Sequence, residues 1–262
     1  MAIFHLHGRR YDIEAVVFDK DGTLIDFHRL WGQRARTAVD ALVARVRGSA
    51  ALRQALYQGI GYDPLTNWPA GGGPLAITTN AKLNTVATTV LYQHGLNWPE
   101  AERYVEESFA SCMSAPPERE AIRPLGNLET LFRTLHRHGL RLALATSDEA
   151  HITGAILDML GWTEVFTLCV HGDDPRPDKP APDGLWHIAS SLELAPRQLM
   201  MVGDTGSDML FATAAGAGCR VGVLSGAGQR ADLEDHADVI LDSVLDLLDA
   251  LEGNNASRST QR

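Results

Sequence analysis

Two aspartates stand two residues apart in the stretch "AVVFDKDGTLIDF". They are Asp19 and Asp21, and there an apolar run stops at an acidic pair followed by Gly22 and Thr23. Three later stretches also place polar groups at the end of apolar runs or in the loops behind them. "LALATS" delivers Thr146 and Ser147, with Asp148 next; "DKPAPDG" carries Lys179; "VGDTGSD" delivers Asp204, with Asp208 four residues on. Each alone has an ordinary explanation. Asp-Gly is a common turn pair, Ser, Thr and Asp favour helix N-caps, and a loop lysine is usually a solvated charge. As a set they support a chemistry. Clustered carboxylates repel one another and need protons or a cation. Oxygen donors with no His or Cys among them suit a hard ion, for which Mg²⁺ is the natural choice. Lys179 adds positive charge, and hydroxyl and N–H groups near Gly22, Thr146 and Ser147 can cradle an anion at helix starts. Such a site neutralises a phosphoryl group, so that one carboxylate can attack phosphorus while another moves a proton.

These groups act together only if the fold delivers them to one rim. From Arg141 onward, short β-rich runs alternate with helical patterns: "RLALAT", "VFTLCV" (Val165 to Val170), "LMMVGD", "RVGVLS" and "ADVILDS" read as strands, as does the opening "EAVVFD". "EAHITGAILDMLG", ending on Gly161, "DGLWHIASSLEL" and "DMLFATAAGAG" read as the helices between them. Continuous apolar strands separated by helices predict a doubly wound, Rossmann-like α/β fold with a parallel sheet. In such sheets ligands sit beyond the carboxyl ends of the strands, where these groups would emerge. The region from about Leu30 to Glu120 is different: "QRARTAVDALVARVRGSAALRQALYQ", "NAKLNTVATTVLYQHG" and "PEAERYVEESFASCM" are long helical patterns with no convincing strand among them. The expected organisation is a catalytic core from residues 1–27 and 121–252, an all-helical insert over 28–120 and a polar, flexible tail over 253–262. "FHLHGRRYDI" is compatible with a small hairpin ahead of the first strand.

"DKDGTL", "LALATS", "DKPAPDG" and "VGDTGSD" resemble, in order, the four signature motifs of the haloacid dehalogenase-like hydrolase superfamily. A helical insert directly after the first motif is similar to that family's cap, in the manner of phosphoglycolate phosphatases. The resemblance implies a role for each position. Asp19 would be the nucleophile that forms an aspartyl-phosphate. Asp21 would be the general acid and then the base, its backbone carbonyl also holding Mg²⁺. Asp204 and Asp208 would complete the metal site that Asp19 begins. Thr146 and the Ser147 amide would bind phosphoryl oxygens beside Gly22, and Lys179 would bridge nucleophile and phosphoryl group. Relatives that cleave carbon–halogen bonds lack an aspartate at the position of Asp21, so its presence favours phosphoryl transfer. Phe27 stands where relatives often carry Ser or Thr, and Ser207 where many carry Asn.

The implied activity is Mg²⁺-dependent hydrolysis of a small phosphorylated metabolite, phosphoglycolate-like or a sugar phosphate. A phosphomutase of the β-phosphoglucomutase kind shares the same core motifs, and a phospho-aspartate signalling module uses a similar acidic cluster without turnover. The insert would choose the leaving group. His28, Trp31 and Arg34 are candidates to meet it, as is the loop "NWPAGGGP". His136, His138 and His151 follow no metal-ligand spacing and are expected at the surface. A net charge of -10 argues against nucleic acid as a partner. No apolar run approaches a bilayer span, and the start shows no signal-peptide pattern. The expectation is therefore a cytoplasmic monomer or homodimer with no membrane partner. Cys112, Cys169 and Cys219 stand in no C-x-x-C pair and are expected to be reduced and buried.

Overall fold

The computed structural model describes residues 2–251. The chain opens on an antiparallel hairpin of β1 (Ala2–Leu6) and β2 (Arg9–Ile13). Its turn residues His7 and Gly8 both have positive φ, as a tight two-residue hairpin turn requires. β3 (Ala15–Phe18) follows and is buried throughout. Two short strands, β4 (Tyr62–Asp63) and β5 (Trp68–Pro69), pair within the helical region, where no strand was expected. Then come β6 (Arg141–Ala145), β7 (Leu168–Val170), β8 (Leu199–Gly203), β9 (Cys219–Val223) and β10 (Val239–Leu241).

Six of these form one parallel sheet in the order β10-β9-β8-β3-β6-β7. From β3 the chain moves outward through β6 and β7, then returns to β8 on the opposite side of β3. The strand order therefore reverses at β3, and a crevice opens at its carboxyl end. Both faces are covered. Val16, Phe18, Leu142, Leu144, Met200 and Val202 pack toward helices Leu128–Arg137 and Ala150–Leu160 and toward the hairpin. The alternate residues Ala15, Val17, Ala143, Ala145, Leu199 and Met201 pack with side chains of helices Asp183–Ser191 and Gly206–Ala215. This two-sided burial is why the strands read as unbroken apolar runs.

Between β3 and β6 lie helices Gln33–Arg45, Ala50–Ile60, Asn80–Gln93 and Trp98–Tyr104, the last continued through a π-helical stretch Val105–Ala110. The first pattern expected from the sequence breaks into two helices. Arg47 takes a left-handed conformation (φ 50°), and Ser49 caps the second helix by accepting from the Leu52 N–H. The chain enters and leaves this helical segment through two adjacent linkers. The Asp26 N–H donates to the Arg123 carbonyl, and the Leu125 N–H to the Leu24 carbonyl, each at 2.9 Å. The tail expected over 253–262 lies outside the described residues.

No helix among the described residues is long and apolar enough to cross a membrane. His136 and His151 are exposed and His138 is half-buried. The cysteines are unpaired, but only Cys219 is buried; Cys112 and Cys169 are half-buried. Burial pushes the Cys169 thiol up to about 11 and that of Cys219 up to about 12. Reactive thiolate at neutral pH is thereby suppressed. Native protein at pH 7.5 should leave Cys169 and Cys219 unlabelled by iodoacetamide, as read by peptide mass spectrometry, whereas labelling in urea should be complete. Rapid native labelling at Cys219 would contradict this packing.

Candidate active site

The first polar group after the all-apolar β3 is Asp19, whose N–H donates to the Val202 carbonyl of neighbouring β8 at 2.8 Å. The chain then turns sharply. The Leu24 and Ile25 N–H groups donate to the Lys20 carbonyl, and the Gly22 N–H to the Ile25 carbonyl. Gly22 has φ +91°, and a Cβ there would lie 2.4 Å from Asp204 Oδ2. Only glycine gives both that conformation and that approach. Asp204 directly follows β8 and accepts from the Ala227 N–H at 2.7 Å. Asp208 caps helix Gly206–Ala215, its Oδ2 accepting from the Thr205 N–H and hydroxyl at 3.1 and 2.6 Å. The capping explanation of "GDTGSD" is therefore correct, and it leaves Asp208 Oδ1 facing the site, where it accepts from Lys179.

Asp19, Asp204 and Asp208 are all buried, and each offers a carboxylate oxygen within 4.8 Å of the others. Burial pushes the Asp19 carboxyl up to about 7, against the pull of Lys179 and with the repulsion of Asp208 and Asp21. Asp204 is driven well above the ordinary range by burial and then by the charges of Asp19 and Asp208. Lys179 Nζ donates to Asp19 Oδ1 at 2.7 Å, Asp208 Oδ1 at 2.6 Å and the Ala145 carbonyl at 3.1 Å. Burial opposes its charge, but Asp19 and Asp208 more than offset this and raise its pKa. One ammonium thus faces three acids. Three oxygen donors with surplus negative charge fit a hard divalent cation such as Mg²⁺.

Thr146 and Ser147 follow β6. Thr146 Oγ1 accepts from the Asp148 N–H at 3.1 Å, so its own proton remains available to an anion. Two groups that sequence reasoning gave no role complete this side. Lys20 is fully buried, and its Nζ lies 2.5 Å from Asp21 Oδ2 and 3.1 Å from Asp148 Oδ2. Burial pulls its pKa down, yet the two carboxylates more than compensate, and the ammonium stays protonated. Asp21 therefore does not share the position of Asp19. Its carboxylate turns to Lys20, and its Oδ1 has no hydrogen-bond partner. A lysine inside "DKD" at the end of a buried strand was the signal, because a fully buried lysine requires paired acids.

Asp19, Asp21, Thr146, Ser147, Asp148, Lys179 and Asp208 line one pocket, and Trp31, Leu75, Ile77, Thr78, Asn80 and Leu83 line it from the helical segment. Trp31 meets it; His28 and Arg34 do not. His28 stacks on Trp68 with ring centroids 4.2 Å apart. Arg34 lies over the Trp31 ring and donates to the Met113 carbonyl at 2.6 Å and to that of Ala115. In the "GGG" loop, a Cβ on Gly71 would lie 2.9 Å from the Ala227 carbonyl. That glycine lets the helical segment's backbone press against the core loop that holds Asp204.

The family model for haloacid dehalogenase-like hydrolases matches residues 13–216. The chain belongs to this family. Among haloacid dehalogenase-like relatives, phosphoglycolate phosphatase of Escherichia coli K12 is 30% identical, over 92% of this chain and 93% of its own length. That of Salmonella typhimurium is also 30% identical, with the same coverage. A solved structure described as a predicted phosphoglycolate phosphatase from Haemophilus somnus superposes with a TM-score of 0.67 at 19% identity, covering 91% of this chain and 97% of that one. A β-phosphoglucomutase from Clostridium difficile reaches 0.59 at 19% identity, covering 88% and 91%. Both structures share the haloacid dehalogenase-like fold, and at such identities the likeness speaks for fold alone.

Proposed function

We propose that this chain is a Mg²⁺-dependent phosphatase of a small phosphomonoester, acting through an aspartyl-phosphate on Asp19. The observation that carries this reading is a buried Asp19 carboxylate, tied to Lys179 at 2.7 Å and facing a pocket that it shares with Asp21. The curated relatives named phosphoglycolate phosphatase support it. In this reading residues 28–120 are the cap over a core of 1–27 and 121–252.

Asp19, Asp204 and Asp208, with the Asp21 backbone carbonyl, would hold Mg²⁺, which when bound supplies charge neutralisation for phosphoryl oxygens and acids alike. An Asp19 carboxylate oxygen attacks phosphorus, and the bond to the leaving oxygen breaks as that oxygen takes a proton from Asp21. A water then gives its proton to Asp21 and attacks the same phosphorus. The bond to Asp19 breaks, and inorganic phosphate leaves with both residues restored. Thr146 and the Ser147 amide orient phosphoryl oxygens; Gly22, expected to join them, instead gives its N–H to the Ile25 carbonyl and takes the Ser225 hydroxyl on its own carbonyl, and so shapes the turn. Lys179 is already charged and oriented, so it loses little reorganisation energy during reaction.

The test is phosphate release from a panel of phosphomonoesters with and without Mg²⁺. EDTA should lower the rate at least about 100-fold, as expected when several kcal/mol of transition-state stabilisation are removed, and added Mg²⁺ should restore it. Isomerisation of a sugar phosphate without free phosphate would replace hydrolysis by mutase action. Stable phosphorylation from a small donor without turnover would indicate a signalling module.

A further inference from the structure

The phosphatase reading leaves open what the phosphate is attached to, and the walls of the pocket bear on that. Its ionisable lining is all on the core side: Asp19, Asp21, Asp148 and Asp208 against the single cation Lys179. The opposite wall is uncharged. Trp31, Leu75, Ile77 and Leu83 are apolar, and Thr78 donates its hydroxyl proton to the Pro74 carbonyl at 2.9 Å. Asn80 is 5% exposed, and its Nδ2 has no hydrogen-bond partner. On the core side Ser207, 8% exposed, also has an unpartnered Oγ. Buried polar atoms left unpaired are costly, so an amide at a pocket wall is matched to an oxygen of whatever fills the pocket.

Among the described residues no cation other than Lys179 lines the pocket. Arg34 is held by the carbonyls of Met113 and Ala115, Lys20 by Asp21 and Asp148, and Lys82 by Asp178 at 2.8 Å. A second anionic group on the substrate that reached the apolar wall would thus be desolvated there, with no cation of that wall to meet it.

We infer that the leaving group is an uncharged alcohol whose oxygen is recognised by the Asn80 amide, and that carboxylate-bearing esters such as phosphoglycolate are disfavoured. The inference rests on the phosphatase reading and narrows it. Two matched pairs test it: 2-hydroxyethyl phosphate against 2-phosphoglycolate, and glycerol 3-phosphate against 3-phosphoglycerate. Each pair exchanges a CH₂OH for a carboxylate at nearly constant size. With Mg²⁺ present, kcat/KM should favour the neutral member of each pair by about 100-fold or more, as an unmatched buried charge demands. Asn80→Leu should lower kcat/KM for 2-hydroxyethyl phosphate by about 10- to 100-fold, and less for ethyl phosphate, which lacks the distal oxygen. Ile77→Arg should shift the preference toward the acids. Equal or better turnover of the acids by the native enzyme would overturn the inference and leave the phosphatase reading standing. Absence of phosphate release from every ester, p-nitrophenyl phosphate included, would remove both.

Discussion

Asp19→Asn should stop phosphate release, by on the order of 10⁴-fold or more, while the protein keeps its fold. The amide is nearly isosteric with the carboxylate but has no anionic oxygen to attack phosphorus. The structural cost is small because two effects oppose each other. Lys179 loses one of its two carboxylate partners, but keeps Asp208 at 2.6 Å and the Ala145 carbonyl at 3.1 Å. In return the cluster loses one of three buried acids whose mutual repulsion and burial raise the pKa values of Asp19 and Asp204. The melting temperature should therefore stay within a few degrees of the native value, or rise. A phosphate-release assay and a thermal melt on the same sample separate the two outcomes. Undiminished turnover would show that Asp19 is not the nucleophile.

The largest stability effect is expected at Lys20. Lys20→Met fits the volume but leaves Asp21 and Asp148 facing each other without their common cation. Removing one partner of a buried ionic group costs about 3–5 kcal/mol. For a chain of this size that corresponds to a fall in melting temperature of roughly 6–20 °C. Turnover should fall as well, because Asp21 loses the contact that orients it. The double variant Lys20→Met/Asp148→Asn should recover part of the stability lost in the single variant, since an amide needs no counter-charge; coupling of about 0.5–3 kcal/mol is the usual range for residues in contact. A Lys20→Met protein that melts with the native one would mean that the ammonium does not hold these acids together.

Lys20 also shows where sequence reasoning stops. The strands β3, β6 and β8 were legible because burial on both faces removes every polar interruption, and the groups at their ends followed from parallel-sheet geometry. Asp19, Asp204, Asp208 and Lys179 could be gathered that way. What Lys20 does could not, because the partner that explains its burial, Asp148, comes from a different strand end. The strand expected from Val165 begins only at Leu168. Val165 and Phe166 are apolar for another reason: Phe166 packs edge-on against Phe132, with ring centroids 5.5 Å apart. The break in the first helical pattern had a signal in Gly48-Ser49, which supplies a turn and a cap, but apolar periodicity continues across it. The pocket wall from Leu75 to Leu83 was hidden because most of its residues are ordinary core types, and nothing in the sequence shows that the segment after Gly71 lies against the core loop at Ala227.

The paired linkers, Leu24 to Asp26 beside Arg123 to Leu125, have a consequence for how such a molecule can vary. The chain leaves the sheet and returns at neighbouring, hydrogen-bonded points, so the intervening stretch is grafted onto a closed junction rather than woven through the core. The entropy of closing such an excursion grows only slowly with its length, by about 0.6 kcal/mol per doubling. Grafts of quite different size can therefore be exchanged at this junction with little strain on the strand ends beneath, so that under the proposed function substrate choice could change while the chemistry stays fixed.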